Sequence, residues 1–171
     1  MKIDIRKSPL ENLNTDALVI FVAQKSARPE GGSKAAKTTV KSKDEKKSSG
    51  PKAYVEGVSK AIQARIQSSI DDGSLTGATN EVVLFRDASI SGSRHLLAVG
   101  LGDEKAFGHE KLRQAGAAMV TALKSTKTKT VAVALDTLPH NSLEADLTVQ
   151  ALTEGALLAD YSYSDLKENK G

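Results

Sequence analysis

The chain has 171 residues, 39% hydrophobic and 26% charged, with a formal net charge of +3. That length suffices for one domain with its own core, and the composition is that of an ordinary soluble globular protein. The complete lack of cysteine excludes disulfide frameworks, thiolate metal centres and cysteine nucleophiles.

In chain order, the alternating KIDIR of Lys2–Arg6 reads as a short edge strand and Ser8–Asp16 as a turn. Ala17–Val22, ALVIFV, is a continuous apolar run of strand length, which suits a strand covered on both faces. Extended to Ala23 it is about a third of a membrane span, and no apolar run of signal-peptide length opens the chain. The protein is therefore expected to be soluble and cytoplasmic, with no membrane partner.

Residues 24–53 carry nine Lys or Arg against three Asp or Glu, a local +6, so the rest of the chain is net −3. Lys, Ser, Gly and Pro dominate here, and such a segment cannot bury enough apolar surface to offset its chain entropy. It reads as a disordered insert.

From Tyr54 the pattern becomes helical, with Val55, Val58, Ile62, Ile66 and Ile70 on one face and Gly73 as the stop. Glu81–Phe85 and His95–Gly102 read as strands, the second apolar enough to be central. Leu112, Ala115, Met119 and Leu123 mark a second helix, and Thr130–Leu135 a fourth strong strand. Asn141 with Glu144 resembles a capping box opening a helix with Leu143, Leu147, Ala151 and Leu158 on its apolar face, patterned on through Tyr161 to Lys167. Alternating strands and helices, with strands apolar on both sides, predict a three-layer α/β/α sandwich around a mixed, mostly parallel sheet.

Candidate chemistry is sparse. In Val99–Gly108, VGLGDEKAFG, a glycine pair between strand and helix could bring backbone amides to a phosphate. The third glycine of a dinucleotide fingerprint is replaced by Lys105, and no Gly-Lys-Ser/Thr follows. The plainer reading is that Gly100 and Gly102 end a strand tightly. His95, His109 and His140 are each isolated, so surface or capping roles outweigh metal ligation. Lys34, Lys37, Lys41, Lys43, Lys46, Lys47 and Lys52 could attract a phosphate backbone, but no aromatic residue is interleaved for base stacking. A solvated linker is the default reading, with DNA as a possible partner.

Val99-Gly-Leu-Gly102, Leu112-Arg-Gln-Ala-Gly116 and Glu154-Gly-Ala-Leu-Leu-Ala-Asp-Tyr161, together with Asp16–Val22 near the start, resemble the N-terminal domain of leucyl (cytosol) aminopeptidases. Tyr163 stands where that family usually has Phe, and the family does not usually carry the Lys-rich insert. The resemblance implies a macro-domain-like fold spanning residues 1–171 and followed, in the family, by a catalytic domain absent from this chain. That missing domain would hold two divalent metal ions, zinc or manganese, and remove N-terminal residues from peptides. The N-terminal domain would be non-catalytic, partnering its own catalytic domain, helping to arrange hexamers and framing access to the active site. A nucleotide- or DNA-binding macro-like module is the alternative. Asn14-Thr-Asp-Ala17 matches four letters of a family metal motif, but Leu18 breaks it, so no metal or catalytic role passes to Asp16. No catalytic, cofactor or metal residue is expected in this chain.

Overall fold

The computed structural model describes residues 4, 13–25, 52–90, 92–139 and 143–161. The expected Lys2–Arg6 strand falls outside them except for Asp4, which is exposed. Among the described residues, five strands form one sheet: β1 (Thr15–Lys25), β2 (Lys52–Tyr54), β3 (Val82–Phe85), β4 (Ser93–Asp103) and β5 (Val131–Val133). Three helices accompany them: α1 (Lys60–Asp71), α2 (His109–Leu123) and α3 (Ala145–Asp160).

β4 lies parallel to β1 on one side, and β3 pairs antiparallel with β4 at that edge. β2 and β5 share the other side of β1: β5 runs parallel to residues 17–19, and β2 antiparallel to 23–25. The expected mixed sheet is thus present, with its long pairing parallel and short strands at its edges.

Strict alternation along β1 builds two cores. Ala17, Val19 and Phe21 join Leu97, Val99 and Leu101 of β4 against α2 and α3. Leu18, Ile20 and Val22 join Leu96 and Ala98 against Ile62 and Ile66 of α1. Successive side chains of a strand point to opposite faces, so a run without polar residues needs a helical layer on each. The two central strands satisfy that condition, and the sandwich has three layers.

Several boundaries differ from the sequence expectation. Gln24 and Lys25 complete β1, and Lys52 and Ala53 open β2; residues 26–51, the body of the Lys-rich segment, lie outside the described ones. Tyr54 belongs to β2 rather than to a helix, and α1 begins only at Lys60. Between them Gly57 has φ +70 and sits so close to the Asp136 carbonyl that a Cβ would collide with it. Val55 and Val58 still pack against the α1-side core, which is why their spacing mimicked helical periodicity.

The strand expected at Thr130–Leu135, β5, is only three residues long, and Val131 is 42% exposed. The chain turns at Leu135–Thr137 because the buried Thr137 hydroxyl donates to the Ala134 carbonyl and accepts from the Phe21 N–H at 2.9 Å.

The α3 expectation needs the largest correction. Glu144 occupies the N-cap position, and Asn141, the expected cap, lies outside the described residues. Leu147 and Leu158 are exposed, and the buried face is Thr148, Ala151, Leu152, Gly155 and Ala156. The helix ends at Asp160; residues 162–171 lie outside the described ones.

Candidate functional site

The glycine pair was the strongest candidate for a ligand contact, and it sits in the last turns of β4 beneath the loop 76–81. The Gly100 N–H donates to the Glu81 carbonyl at 2.8 Å, and the Gly102 N–H to the Gly77 carbonyl at 2.9 Å. Neither amide is left to hold a phosphate. A Cβ at Gly100 would run into the Ala78 carbonyl, and one at Gly102 into the Thr79 hydroxyl, where φ is +76. Glycine is required here because the loop presses on the strand.

That loop is held from within. The Glu81 carboxylate accepts from the Thr76 N–H and hydroxyl, both at 2.9 Å, and from the Ala78 N–H at 3.0 Å. Lys111 of α2 donates to the Thr79 hydroxyl at 3.0 Å. Sequence reasoning passed over Glu81, whose role follows only from the fold-back of the loop.

Beside the carboxyl ends of β1 and β4, the Tyr54 hydroxyl donates to Glu104 at 2.7 Å, and Lys25 lies 4.6 Å from the Tyr54 ring centroid. Burial, then the hydrogen bond and the negative charge of Glu104, push the Tyr54 phenol well above its ordinary value of 10.0. Such a phenol stays protonated and serves as a structural donor.

The remaining candidates are dispersed. His95 accepts weakly from the Asp87 N–H at 3.4 Å on the β3–β4 hairpin. His109 opens α2, half-buried, with a buried Nε2 that has no hydrogen-bond partner among the described residues. His140 and Lys34 to Lys47 lie outside the described residues, while Lys52 pairs in register with Lys25. The Asp16 carboxylate accepts from the Lys129 and Thr130 N–H groups at 2.8 and 2.9 Å and from the Thr130 hydroxyl at 3.0 Å. Those bonds, the Lys129 one foremost, hold it below its ordinary value of 3.8 and use it to tie β1 to the start of β5. Among the described residues no group of three or more His, Asp or Glu is placed to hold a metal ion.

What the structure does bring together is the pair of strings Leu112–Gly116 and Glu154–Tyr161. Gly116 faces the Leu152 carbonyl and Gly155 the Arg113 carbonyl, each too close to admit a Cβ. Leu112, Ala115, Ala151, Leu152 and Ala156 fill the crossing, and Arg113 donates to Glu154 at 2.7 Å along its margin. These residues make a helix–helix contact rather than a reaction site.

Comparison with known proteins identifies the family. Residues 34–170 match the cytosol aminopeptidase family, N-terminal domain. The matched region thus includes part of the Lys-rich segment and excludes β1. A probable cytosol aminopeptidase of Bdellovibrio bacteriovorus is 31% identical over 109 residues, covering 64% of this chain and 22% of that protein. A second, from a Sulfurihydrogenibium species, is 24% identical over 163 residues, covering 95% of this chain and 28% of that protein. The chain therefore spans about a quarter of the length of the curated relatives it matches. A solved structure, bottromycin maturation enzyme BotP in complex with Mn, shares the fold at TM-score 0.54 and 19% identity, over 90% of this chain and 25% of that one. The chain belongs to the cytosol aminopeptidase family and carries that family's N-terminal domain.

Proposed function

We propose that the chain acts as the non-catalytic N-terminal domain of a metal-dependent aminopeptidase. In this reading a larger C-terminal domain holds two divalent ions, zinc or manganese, and removes N-terminal residues from peptides. The domain described above contributes to oligomer assembly, a hexamer in the full-length protein, and to access to the active site, in the cytoplasm.

One observation carries the reading: among the described residues, the Gly100–Gly102 pair and Asp16, which looked available for chemistry, are already engaged in holding the domain together, while the buried His109 Nε2 stands alone. The Gly100 and Gly102 amides are bonded to the 76–81 loop. The Asp16 carboxylate is filled by donors from Lys129 and Thr130. Two of the strings that carry the family likeness, Leu112–Gly116 and Glu154–Tyr161, form the α2–α3 crossing. A nucleotide at Gly100 and Gly102 would have to displace two internal hydrogen bonds, which disfavours the binding-module alternative.

The test is to assay the purified chain on leucine p-nitroanilide with manganese or zinc. The expected result is hydrolysis no faster than in buffer; metal-dependent turnover by this chain alone would overturn the reading.

A further inference from the structure

α3 is apolar on both sides. Its inner side is the small-residue face packed on α2, and its outer side carries Leu147, Leu157, Leu158 and Tyr161, which are 42%, 45%, 74% and 72% exposed. Residues 147 to 161 span about 20 Å of helix at 1.5 Å per residue. Leu157, Leu158 and Tyr161 cluster at the C-terminal end of the outer side, and Leu147 lies about three turns away on the same side beyond Gln150 and Glu154. Exposed apolar side chains gathered on one face mark a contact surface.

The polar group in the middle of this stripe is already prepared for coverage. Glu154 accepts from Arg113 at 2.7 Å through one carboxylate oxygen and from Gln150 at 2.8 Å through the other. These partners hold its carboxyl below the ordinary value of 4.5, Gln150 foremost and Arg113 next. A carboxylate supplied with donors from its own domain loses less on removal from water than a bare one would.

The comparisons point to the occupant. In the curated relatives the matched stretch is 20–28% of the chain, and it corresponds to the N-terminal domain. Among the described residues α3 is the last element of that domain in chain order, and so the nearest to the remaining 72–80% of such a protein. We infer that the outer face of α3, Leu147–Leu157–Leu158–Tyr161 around the Arg113–Glu154 pair, is the surface on which the larger C-terminal part of a cytosol aminopeptidase docks. The inference rests on the reading under Proposed function and names the surface which that reading leaves open.

Hydroxyl-radical footprinting reads the exposure of these side chains directly. The chain is oxidised alone and after being joined, in place of the corresponding stretch, to the remainder of the Bdellovibrio bacteriovorus relative. Joining is expected to slow oxidation of Leu158 and Tyr161 about tenfold, as for side chains moving from open surface to an interface core. Val131, on the edge strand β5, is expected to keep its rate.

In the joined protein Leu158→Glu should restore fast oxidation at Leu157 and Tyr161, and Leu158→Ala should restore it partly. Both variants should leave the unfolding midpoint of the free chain unchanged. A hybrid that hydrolyses leucine p-nitroanilide while the stripe oxidises as fast as in the free chain overturns the docking surface and leaves the domain reading standing. Protection that already appears in the free chain as its concentration rises overturns it in favour of self-association. A hybrid that is inactive where the relative is active removes both the reading and the surface.

Discussion

The Arg113 Nε donates to a Glu154 oxygen at 2.7 Å, joining α2 to α3 beside the point where Gly155 rests on the Arg113 carbonyl. The same residue therefore contributes a side chain to an ion pair and a backbone oxygen to a close helix approach. The two contacts differ in burial, and so in what their loss should do.

Gly155→Val places a branched side chain against backbone that cannot move without separating the helices. Overpacking of this kind costs about 1–3 kcal/mol and occasionally more. Urea unfolding of Gly155→Val should show a lower midpoint, and Gly155→Ala a smaller fall in the same direction. Arg113→Gln, which removes only a half-exposed pair, should shift the midpoint less than either. That smaller shift should shrink further in high salt, because exposed charges are screened.

Thr137 makes a second separable prediction. Its buried hydroxyl is the acceptor for the Phe21 N–H in the middle of β1. Thr137→Val keeps the shape and leaves that N–H without a partner in the core, a loss of about 1–3 kcal/mol. Thr137→Ser should retain most of the stability, so comparing the two by thermal unfolding isolates the hydrogen bond from the packing.

Asp16 predicts a pH dependence. Its folded value lies below the ordinary 3.8, owing to the Lys129 and Thr130 donors. The charged form is the one the fold favours. Its contribution is therefore fully present above the unfolded value and is lost as pH falls through the lower, folded value. The difference in unfolding midpoint between the wild type and Asp16→Asn should be constant from neutral pH down to about 5 and should narrow below about 4. A difference that grows on acidification would contradict the assignment.

Gly100→Ala should be poorly tolerated, because the new methyl group would meet the Ala78 carbonyl. The expected outcome is a cost of about 1–3 kcal/mol as the 76–81 loop is pushed off the strand. Faster amide exchange at Gly102, whose N–H is bonded to the Gly77 carbonyl, should accompany it.

Much of this architecture is written locally. The unbroken apolar run at Ala17–Val22 demands cover on both faces, and it has it. Leu112, Ala115, Met119 and Leu123 named the buried face of α2 from spacing alone. The likeness to an aminopeptidase N-terminal domain was also legible, and two of its strings, Leu112–Gly116 and Glu154–Tyr161, meet at a helix crossing where Gly116 and Gly155 leave no room for a Cβ.

The phase of α3 could not be read that way. With leucines on both sides, periodicity does not say which side is inside, and the tertiary structure chose Ala151, Gly155 and Ala156. Small residues let two helix backbones approach closely, so packing against α2 outweighed the larger transfer energy of Leu147 and Leu158. Likewise β5 stops early because Thr137 turns the chain to reach a backbone group 116 positions away. Sequence alone determined which segments are apolar and at what period; only the assembled layers decided which backbone groups and faces would meet, because those choices rest on neighbours distant along the chain.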